Sequence, residues 1–559
     1  MSPMTRIRSI VPILVFVAAP SAQVSPELAQ LIKKEGLENS KVMDYLDHLT
    51  NKIGHRLTGS DNFRRACEWA KSEFEKMGLD AKLEQWGTWR VSWNRGQWQG
   101  RILEPIEMDL QVATDAWTAG TKGRVKAEVV RMPTSVDDFD EELKGKWLIA
   151  RRMPRSTSVS RAASVGAAGI LYSSRGDRRF PNRIRVFGSY RRPQRKIVQI
   201  CIRRDQFLKL WEVTGLAEDS EKKVLAEFDI RNRFRDEPTP LFNVVAEIKG
   251  TVHPDEFVIV CGHLDSWHQA SGTTDNGTGT TSTMEAARII AAVGAKPKRT
   301  IRFLLWGGEE QGLLGSVQYV RRHRQEMNNV SAVFNHDTGT NWAQSLRVTS
   351  AQYDDMRKVI APVMSMKAPD DDWNRPVFKL SKSNSLGRGG GSDHASFLSA
   401  GVPAFPWGLR GRSNYFSYTW HSQWDTYDEA IPEYQRHTST VIALTALGTA
   451  NLPHLLGRGG VGRARPRGDA KPVAEGRLGI ELEGLKVAGI DKGGVGDRAG
   501  MKTGDTIVAI NDKRVSSAVD IVSIMRDNKA PWVFTVLRGE RKVGLLVELA
   551  GKKPKKVGK

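Results

Sequence analysis

The sequence predicts an α/β protein: a mixed, mostly parallel sheet flanked by helices, interrupted by a β-rich insert and followed by a separate C-terminal domain. Three observations predict it. The runs LFNVVAEI, EFVIVCG, TIRFLLWG and VSAVFNHD, between 241 and 337, are almost continuously apolar, and a helical stretch, TSTMEAARIIAAV, lies among them. Such runs suit strands buried on both faces of a parallel sheet. From 101 to 238 the pattern changes to short β-like runs, GRVKAEVVRM, KWLIARR, GILYSS and KIVQICI, with little helical periodicity. Residues 457–475 are rich in Gly, Pro and Arg and read as a flexible linker before a compact unit at 476–550.

The remaining segments follow in order. Arg6 and Arg8 precede an apolar run from Ile10 to Ala19 and then Pro20, Ser21 and Ala22. A basic start, a short apolar core and small residues make 1–22 a secretory signal peptide, which places the mature chain in the periplasm or outside the cell. Residues 23–100 form the N-terminal part of the main domain and read as helices up to about 95. Leu28, Ile32, Leu37, Val42, Leu46 and Leu49 recur at roughly helical spacing, and Arg65 to Met77 forms a second such run. Residues 239–456 are the main part. The tail 551–559 is basic.

Composition narrows the function. The 559 residues include 84 Lys+Arg and 63 Asp+Glu, a net charge of +21, and only three cysteines, Cys67, Cys201 and Cys261. An odd, sparse set with no C-x-x-C excludes a disulfide-stapled scaffold and a thiolate zinc module. No apolar stretch is long enough for an ordinary membrane-spanning helix, so the chain is not expected to be an integral membrane protein. Fifteen basic residues between Arg151 and Arg204 face one acid, Asp177. They read first as a solvated surface, with an anionic cell-envelope partner as the next reading. Aromatics there are few, so no nucleic-acid partner is expected.

Polar residues at the ends of the apolar runs carry the chemistry. His263 and Asp265 follow VIVCG, Asp275-Asn276-Gly277 comes ten residues on, Glu309-Glu310 follows FLLWGG, and Asp337 follows AVFNH. Ser392-Asp393-His394, His421-Ser422 and Asp425-Thr426 come later. Functional groups in open α/β sheets gather beyond the carboxyl ends of strands. Imidazoles with several carboxylates and no thiolate suit two zinc-like ions sharing a bridging carboxylate, with a nearby free carboxylate as general base. Mn or Co fits such a donor set as well. No H-E-x-x-H and no G-x-S-x-G occurs, so neither the single-zinc helical proteases nor a serine elbow is indicated. A G-x-G-x-x-G at Gly457, Gly459 and Gly462 opens no helical pattern and is not read as a nucleotide site. His268, His323 and His437 are assigned to the surface.

In this order, H-x-D, D-N-G, G-G-E-E-x-G-L-x-G-S, D-x-G, S-D-H and H-S-x-x-D-T resemble the co-catalytic zinc exopeptidases that include bacterial leucyl aminopeptidases and carboxypeptidase Q. The likeness spans roughly 25–455, and the insert resembles a protease-associated domain. The resemblance implies that Asp275 bridges two Zn2+ ions, that His263 and Asp337 complete one site, and that Glu310 and His421 complete the other. It makes Glu309 the general base acting on a metal-bridged hydroxide, gives Asp265 the task of orienting His263, and implies a cis Asp275–Asn276 peptide. Trp420 stands where some relatives have Tyr or His, which leaves the oxyanion donor to Tyr418 or His394. Arg410, Arg412 and Asn341 are candidates for reading a substrate terminus.

The implied activity is hydrolysis of peptides or dipeptides from a free terminus, with aminopeptidase or dipeptidase action ahead of carboxypeptidase action. A glutaminyl cyclase-type transferase and a non-catalytic binding protein share the fold and are the competing readings. At the C-terminus, A-G-M-K-x-G-D-x-I-x-x-I-N resembles the PDZ domains of secreted bacterial proteins. Arg477, Leu478, Gly479 and Ile480 fall at that family's carboxylate-binding loop, where an extended peptide or protein C-terminus would bind.

Overall fold

The apolar runs pair with one another, and the pairing sets where the polar residues emerge. The computed structural model describes residues 23–462 other than 177, 219–221, 371–375 and 388, and residues 478–548 other than 517–519, 522–523 and 526–530. The expected signal peptide, the linker from 463, Arg477 and the basic tail lie outside the described residues. Two compact units divide the chain, Met1–Gly462 and Arg463–Lys559.

Helices α1 (Pro26–Glu38) and α2 (Asp61–Lys76) begin at Ser25 and Ser60, whose hydroxyls accept the Leu28 and Phe63 N–H groups. Such caps satisfy donors that the first turn leaves unpaired. Residues Asp80–Trp89, expected within a helical segment, instead form an edge strand, β1, antiparallel to Thr239–Ile248. The chain then leaves this sheet for the insert: β2 (Trp98–Glu104), β3 (Val125–Arg131), β4 (Trp147–Ala150), α3 (Ser156–Ser164), β5 (Gly169–Ser173), β6 (Gln199–Ile202), α4 (Arg204–Glu218) and β7 (Leu225–Ile230). Its strand order is β2-β7-β3-β4-β5-β6, with Met108–Asp109 and Val112–Ala113 at the two edges. The insert has its own core around Trp147, Ile149, Leu171, Ile200 and Phe228. Helix α4 departs from the expected lack of helical periodicity: Phe207, Leu210, Val213 and Thr214 fall on one buried face.

The main sheet resumes with β8 (Thr239–Ile248), β9 (His253–His263), α5 (Thr278–Ala292), β10 (Arg299–Trp306), α6 (Leu314–Arg322), β11 (Val330–Asn335), β12 (Ala404–Pro406) and α7 (Pro432–Ala450). The order is β1-β8-β10-β9-β11-β12. The pairings among β10, β9, β11 and β12 are parallel, and β1 and β8 add antiparallel strands at one side. His263 stands opposite Trp306, and Cys261 opposite Asn335, so β9, β10 and β11 end at the same edge. Helices α5 and α7 are almost wholly buried and pack on each other and on the sheet.

The histidines assigned to the surface are mostly not there. His268 is fully buried, its Nε2 2.9 Å from the Thr114 carbonyl oxygen and its ring edge-on to Trp93 and Trp98. His437 is buried in α7 against Trp342. His323 is half-buried between Glu84 and Glu326. Residues 457–462, expected to open the flexible linker, are fastened to the first unit. Gln352 and Thr349 donate to the Gly457 and Gly459 carbonyls, and Arg458 donates to those of Met327, Val330 and Gly401.

The second unit is an antiparallel sheet, β13 (Ile480–Glu483), β14 (Lys486–Ile490), β15 (Thr506–Ile510), β16 (Trp532–Arg538) and β17 (Arg541–Val547), in that spatial order. Leu478, Ile480, Val487, Ile507, Trp532 and Phe534 fill its core.

Close packing of α5 on β9 depends on small residues. A Cβ at Gly279 would stand 2.4 Å from the His336 carbonyl oxygen, and one at Gly262 would stand 2.9 Å from the Gly279 carbonyl carbon. Gly279→Ala should therefore destabilise the first unit by about 1–3 kcal/mol. The effect is read as a lower urea midpoint for its unfolding, and an unchanged midpoint would show that the helix can move away freely.

Candidate metal centre

Parallel pairing places His263 at the end of β9, Glu309 and Glu310 just beyond β10, and Asp337 just beyond β11. Asp275 comes from the turn before α5, and His421 from the loop before α7. His263 Nε2 lies 3.4 Å from Asp275 Oδ1 and 3.6 Å from Asp337 Oδ1. His421 Nε2 lies 3.1 Å from Asp275 Oδ2 and 3.1 Å from Glu310 Oε2. The two oxygens of Asp275 thus face different imidazoles. The result is two triads, His263/Asp275/Asp337 and Asp275/Glu310/His421, each with its donor atoms within 4.8 Å of one another. The Asp275–Asn276 peptide is cis. Glu309 belongs to neither triad, but its Oε2 is 3.9 Å from His263 Nε2.

The donor set fits zinc. It offers imidazole nitrogens and carboxylate oxygens in two adjoining groups. Among the described residues, buried Glu310 Oε1 has no hydrogen-bond donor, and buried Asp275 Oδ2 has only the His421 ring nitrogen beside it, without hydrogen-bond geometry. Buried, unpaired carboxylate oxygens are costly unless a cation meets them. Burial opposes protonation of His263, but Glu309 and Asp337 outweigh it and hold the imidazole well above its usual range. Burial likewise pushes Glu309 well above the carboxylate range. His263 pulls it back, while Asp337 and Glu310 push it further up.

Asp265 does more than the resemblance implied, and by a different route. Its backbone carbonyl, at 2.9 Å, is the hydrogen-bond partner of His263 Nδ1, while its carboxylate Oδ1 is 3.7 Å from that nitrogen. The carboxylate instead accepts the Glu309 N–H at 3.2 Å, the Glu310 N–H at 3.3 Å and the Thr58 hydroxyl at 2.6 Å. Asp425 does the same for the residue common to both triads, accepting the Thr274 N–H at 2.6 Å and the Asp275 N–H at 3.2 Å. Arg56, fully buried, donates to the carbonyls of Gly54, Leu264, Ser271 and Gly272 and so fixes the loop between His263 and Asp275.

The insert reaches this centre. Its segment 182–187 runs along the loop that carries His421. Val186 N–H donates to the His421 carbonyl at 3.2 Å, Ile184 N–H donates to Gln423 Oε1, and Gln423 donates back to the Asn182 carbonyl. Arg183, 4% exposed, donates to the Phe416 and Ser417 carbonyls. Arg185 lies 4.0 Å over the Trp420 ring, and the Phe187 ring meets His421 edge-on at 5.2 Å. These two arginines are therefore structural, in a run expected to be solvated surface. His421 itself has φ 56°, a left-handed backbone that side chains other than glycine seldom adopt without support.

A cavity of about 530 Å³ opens over the two triads. Its acidic lining is Asp275, Glu309, Glu310 and Asp337, and its apolar lining includes Leu313, Trp407, Phe416 and Trp420. His394 lines it too, with burial lowering its pKa. Tyr418 does not line it. Its ring is stacked at 4.6 Å on Trp424 and packs on Phe180. Tyr415 takes the wall position instead, a residue that no sequence motif singled out. Arg412 is paired with Glu433 at 2.6 Å, Asn341 bonds to the Ser413 backbone, and neither these two nor Arg410 lines the cavity. Among the described residues that line it, none is Lys or Arg.

Residues 243–446 match the model of peptidase family M28, and residues 486–538 match that of the PDZ domain. Carboxypeptidase Q of Mus musculus is 28% identical over 443 residues, covering 76% of this chain and 88% of its own. The Homo sapiens protein of that name is 27% identical over 435 residues, with the same coverage. A peptidase M28 precursor from Shewanella amazonensis, solved by crystallography, is 25% identical with a TM-score of 0.55, over 77% of this chain and 98% of its own. With the ligand-like triads at the strand ends, these likenesses make residues 243–446 a domain of peptidase family M28, of the zinc metallopeptidase type, and residues 486–538 a C-terminal PDZ domain.

Proposed function

We propose that the chain is an exported di-zinc exopeptidase that removes residues from the free amino terminus of peptides or dipeptides. The observation that carries this reading is the placement of Asp275 between two ligand triads, with Glu309 beside them in the same cavity. His263, Asp275 and Asp337 would hold one ion, and Asp275, Glu310 and His421 the other. Bound zinc supplies Lewis acidity, which lowers the pKa of a water and polarises the scissile carbonyl. Glu309 takes the proton from the attacking water and hands it to the leaving nitrogen as the C–N bond breaks. Asp265 holds the Glu309 and Glu310 backbone so that one carboxylate can ligate while its neighbour stays free.

Tyr415 is the oxyanion donor in this reading. Burial, reinforced by Asp275, Asp337 and Glu310, keeps its phenol well above its usual pKa, so it remains a donor. An acidic cavity with no basic lining among the described residues suits an ammonium terminus better than a carboxylate, and its apolar wall suits an apolar side chain. No helix among the described residues is long and apolar enough to cross a membrane. In the second unit, among the described residues, β13 pairs only with β14, which leaves an edge where an extended C-terminus can add as a strand beside Leu478, Gly479 and Ile480.

The central test is a panel of apolar peptides, free or blocked at either terminus, assayed with and without chelator. Metal-dependent cleavage of free-amino peptides is expected. Glu309→Gln should lower kcat by roughly 10²–10⁴ while zinc content is kept, and Tyr415→Phe by roughly 10²–10³. Cleavage only of amino-blocked peptides would reverse the terminus, and N-terminal glutamine cyclisation without hydrolysis would make the chain a transferase. Arg183→Ala removes the two guanidinium hydrogen bonds that help to hold the His421 loop. It should weaken zinc binding by about 10–100-fold in chelator competition, and unchanged affinity would deny the insert that part. For the PDZ domain, peptides with a free C-terminal carboxylate should bind and their amidated forms should not. Equal binding of both forms would exclude carboxylate recognition.

A further inference from the structure

The topology of the insert gathers much of the basic run between Arg151 and Arg204 at one edge. Strands β3, β4, β5 and β6 pair in parallel, with Arg131 opposite Ile149, Ala150 opposite Tyr172 and Ser173 opposite Ile202, so all four end on the same side. The connections that leave β4 and β5 there carry Arg152 and Arg155, and Arg175 and Arg178, all exposed. Met153, Pro154 and Ser156 line one cavity with Ser189 and Arg192, which brings the exposed Arg192 beside the first connection. Arg195 pairs with Asp236 and Arg203 with Asp205, whereas Arg152, Arg155, Arg175, Arg178 and Arg192 make no ion pair among the described residues. Three exposed acids, Asp140, Glu141 and Glu142, instead precede the start of β4 at the opposite edge. Like charges held close repel one another, and a flexible polyanion relieves that repulsion.

This edge runs up to the catalytic cavity. The connection leaving β5 continues into the 182–187 strap on the His421 loop. Phe180, two residues after Arg178, packs on Tyr418 and Trp424 at 5.2 and 5.8 Å. Arg185 lies 4.0 Å over the ring of Trp420, which lines the cavity. The cavity itself is acid-lined, so it favours an ammonium and repels Asp or Glu. Outside it the sign reverses. Guanidinium groups bind carboxylates through paired N–H donors, so the edge suits acidic side chains further along the same chain.

We propose that the basic edge of the insert docks the acidic body of a peptide whose free amino terminus lies in the catalytic cavity. The favoured substrates are then peptides with Asp or Glu beyond their first residues. The fate of the docked peptide rests on the exopeptidase reading above; docking itself does not.

The test uses three peptides, Leu-Gly-Gly followed by Asp-Asp-Asp-Asp, Asn-Asn-Asn-Asn or Lys-Lys-Lys-Lys, each amidated at its C-terminus to keep it off the PDZ domain. Affinity is measured by calorimetry on zinc-loaded, full-length Glu309→Gln protein, and kcat/KM on the native sequence. The aspartate peptide should bind roughly tenfold more tightly than the asparagine peptide, and the lysine peptide most weakly, with kcat/KM in the same order. Raising sodium chloride from about 0.05 to about 0.5 M should remove most of that preference, because exposed charges are screened. Joint substitution of Arg152→Glu, Arg155→Glu and Arg192→Glu, at exposed positions where folding is little affected, should bring the aspartate and asparagine peptides to about equal affinity. Equal affinity for the three peptides before those substitutions, or a preference that survives them, would overturn the proposal. Binding of phosphatidylglycerol vesicles with no preference among the peptides would overturn it in favour of a membrane surface. Tight binding of the aspartate peptide without cleavage of any of the three would uphold docking and overturn the exopeptidase reading instead.

Discussion

One buried carboxylate, Asp265, joins the elements on which the centre depends. It is wholly buried and receives two backbone N–H groups from the Glu309-Glu310 turn and a hydroxyl from Thr58, while its own carbonyl partners His263 Nδ1. Three segments far apart in sequence therefore meet at one residue. Hydrogen bonds to a charged acceptor contribute about 1.5–3 kcal/mol each, and removing the acceptor would leave two N–H groups unsatisfied. The geometry also explains the adjacent acids. Holding both backbone N–H groups fixes the turn, so Glu310 can reach toward His421 while Glu309 stays near His263.

His421 is secured from the opposite direction. It sits in a loop with a left-handed backbone, and residues 182–187 of the insert hold that loop alongside the Thr274–Thr419 hydroxyl pair and the bonds to Asp425 from the turn before α5. An insert with its own core thus does more than ornament the sheet. Its strap supplies backbone and guanidinium donors that keep one imidazole aimed at Asp275 and Glu310. The division of labour is physical: β9, β10 and β11 place His263, Glu310 and Asp337 by register, the turn before α5 places Asp275, and His421 comes from a loop that the insert braces.

Much of this was legible in the sequence, for reasons that individual residues show. Strands buried on both faces must be apolar throughout, so LFNVVAEI, EFVIVCG, TIRFLLWG and VSAVFNHD declare themselves, and polar residues at their ends stand out. What was not legible depended on partners distant in sequence. Nothing around Tyr415 distinguishes it from Tyr418; only the turn of the backbone puts one in the cavity and stacks the other on Trp424. The Arg183 and Arg185 side chains look like solvated charge until the 415–423 loop is placed against them. His268 and His437 read as surface residues because a lone polar ring gives no sign of the aromatic neighbours that bury it. Strand β1 alternates weakly, since it is an edge strand whose pairing with β8 supplies what its side chains do not.

The balance of charge at the centre makes the metal part of the structure as well as of the chemistry. Asp275, Asp337, Glu309 and Glu310 crowd two imidazoles, with Asp393 buried close enough to raise the pKa of Glu309. Arg56 is a buried guanidinium on which these acids act, and its donors go to carbonyls. Desolvation lowers its own pKa to about 10, with Asp425 and Asp265 pulling the other way, so its charge acts on the acids only from a distance. Carboxylates gathered in this way against apolar strands repel one another and lose water without compensation. A cation that binds the folded arrangement and not the unfolded chain removes that penalty and adds its binding free energy to stability. The residues that make the site costly as bare protein are the ones that make it a strong place for zinc.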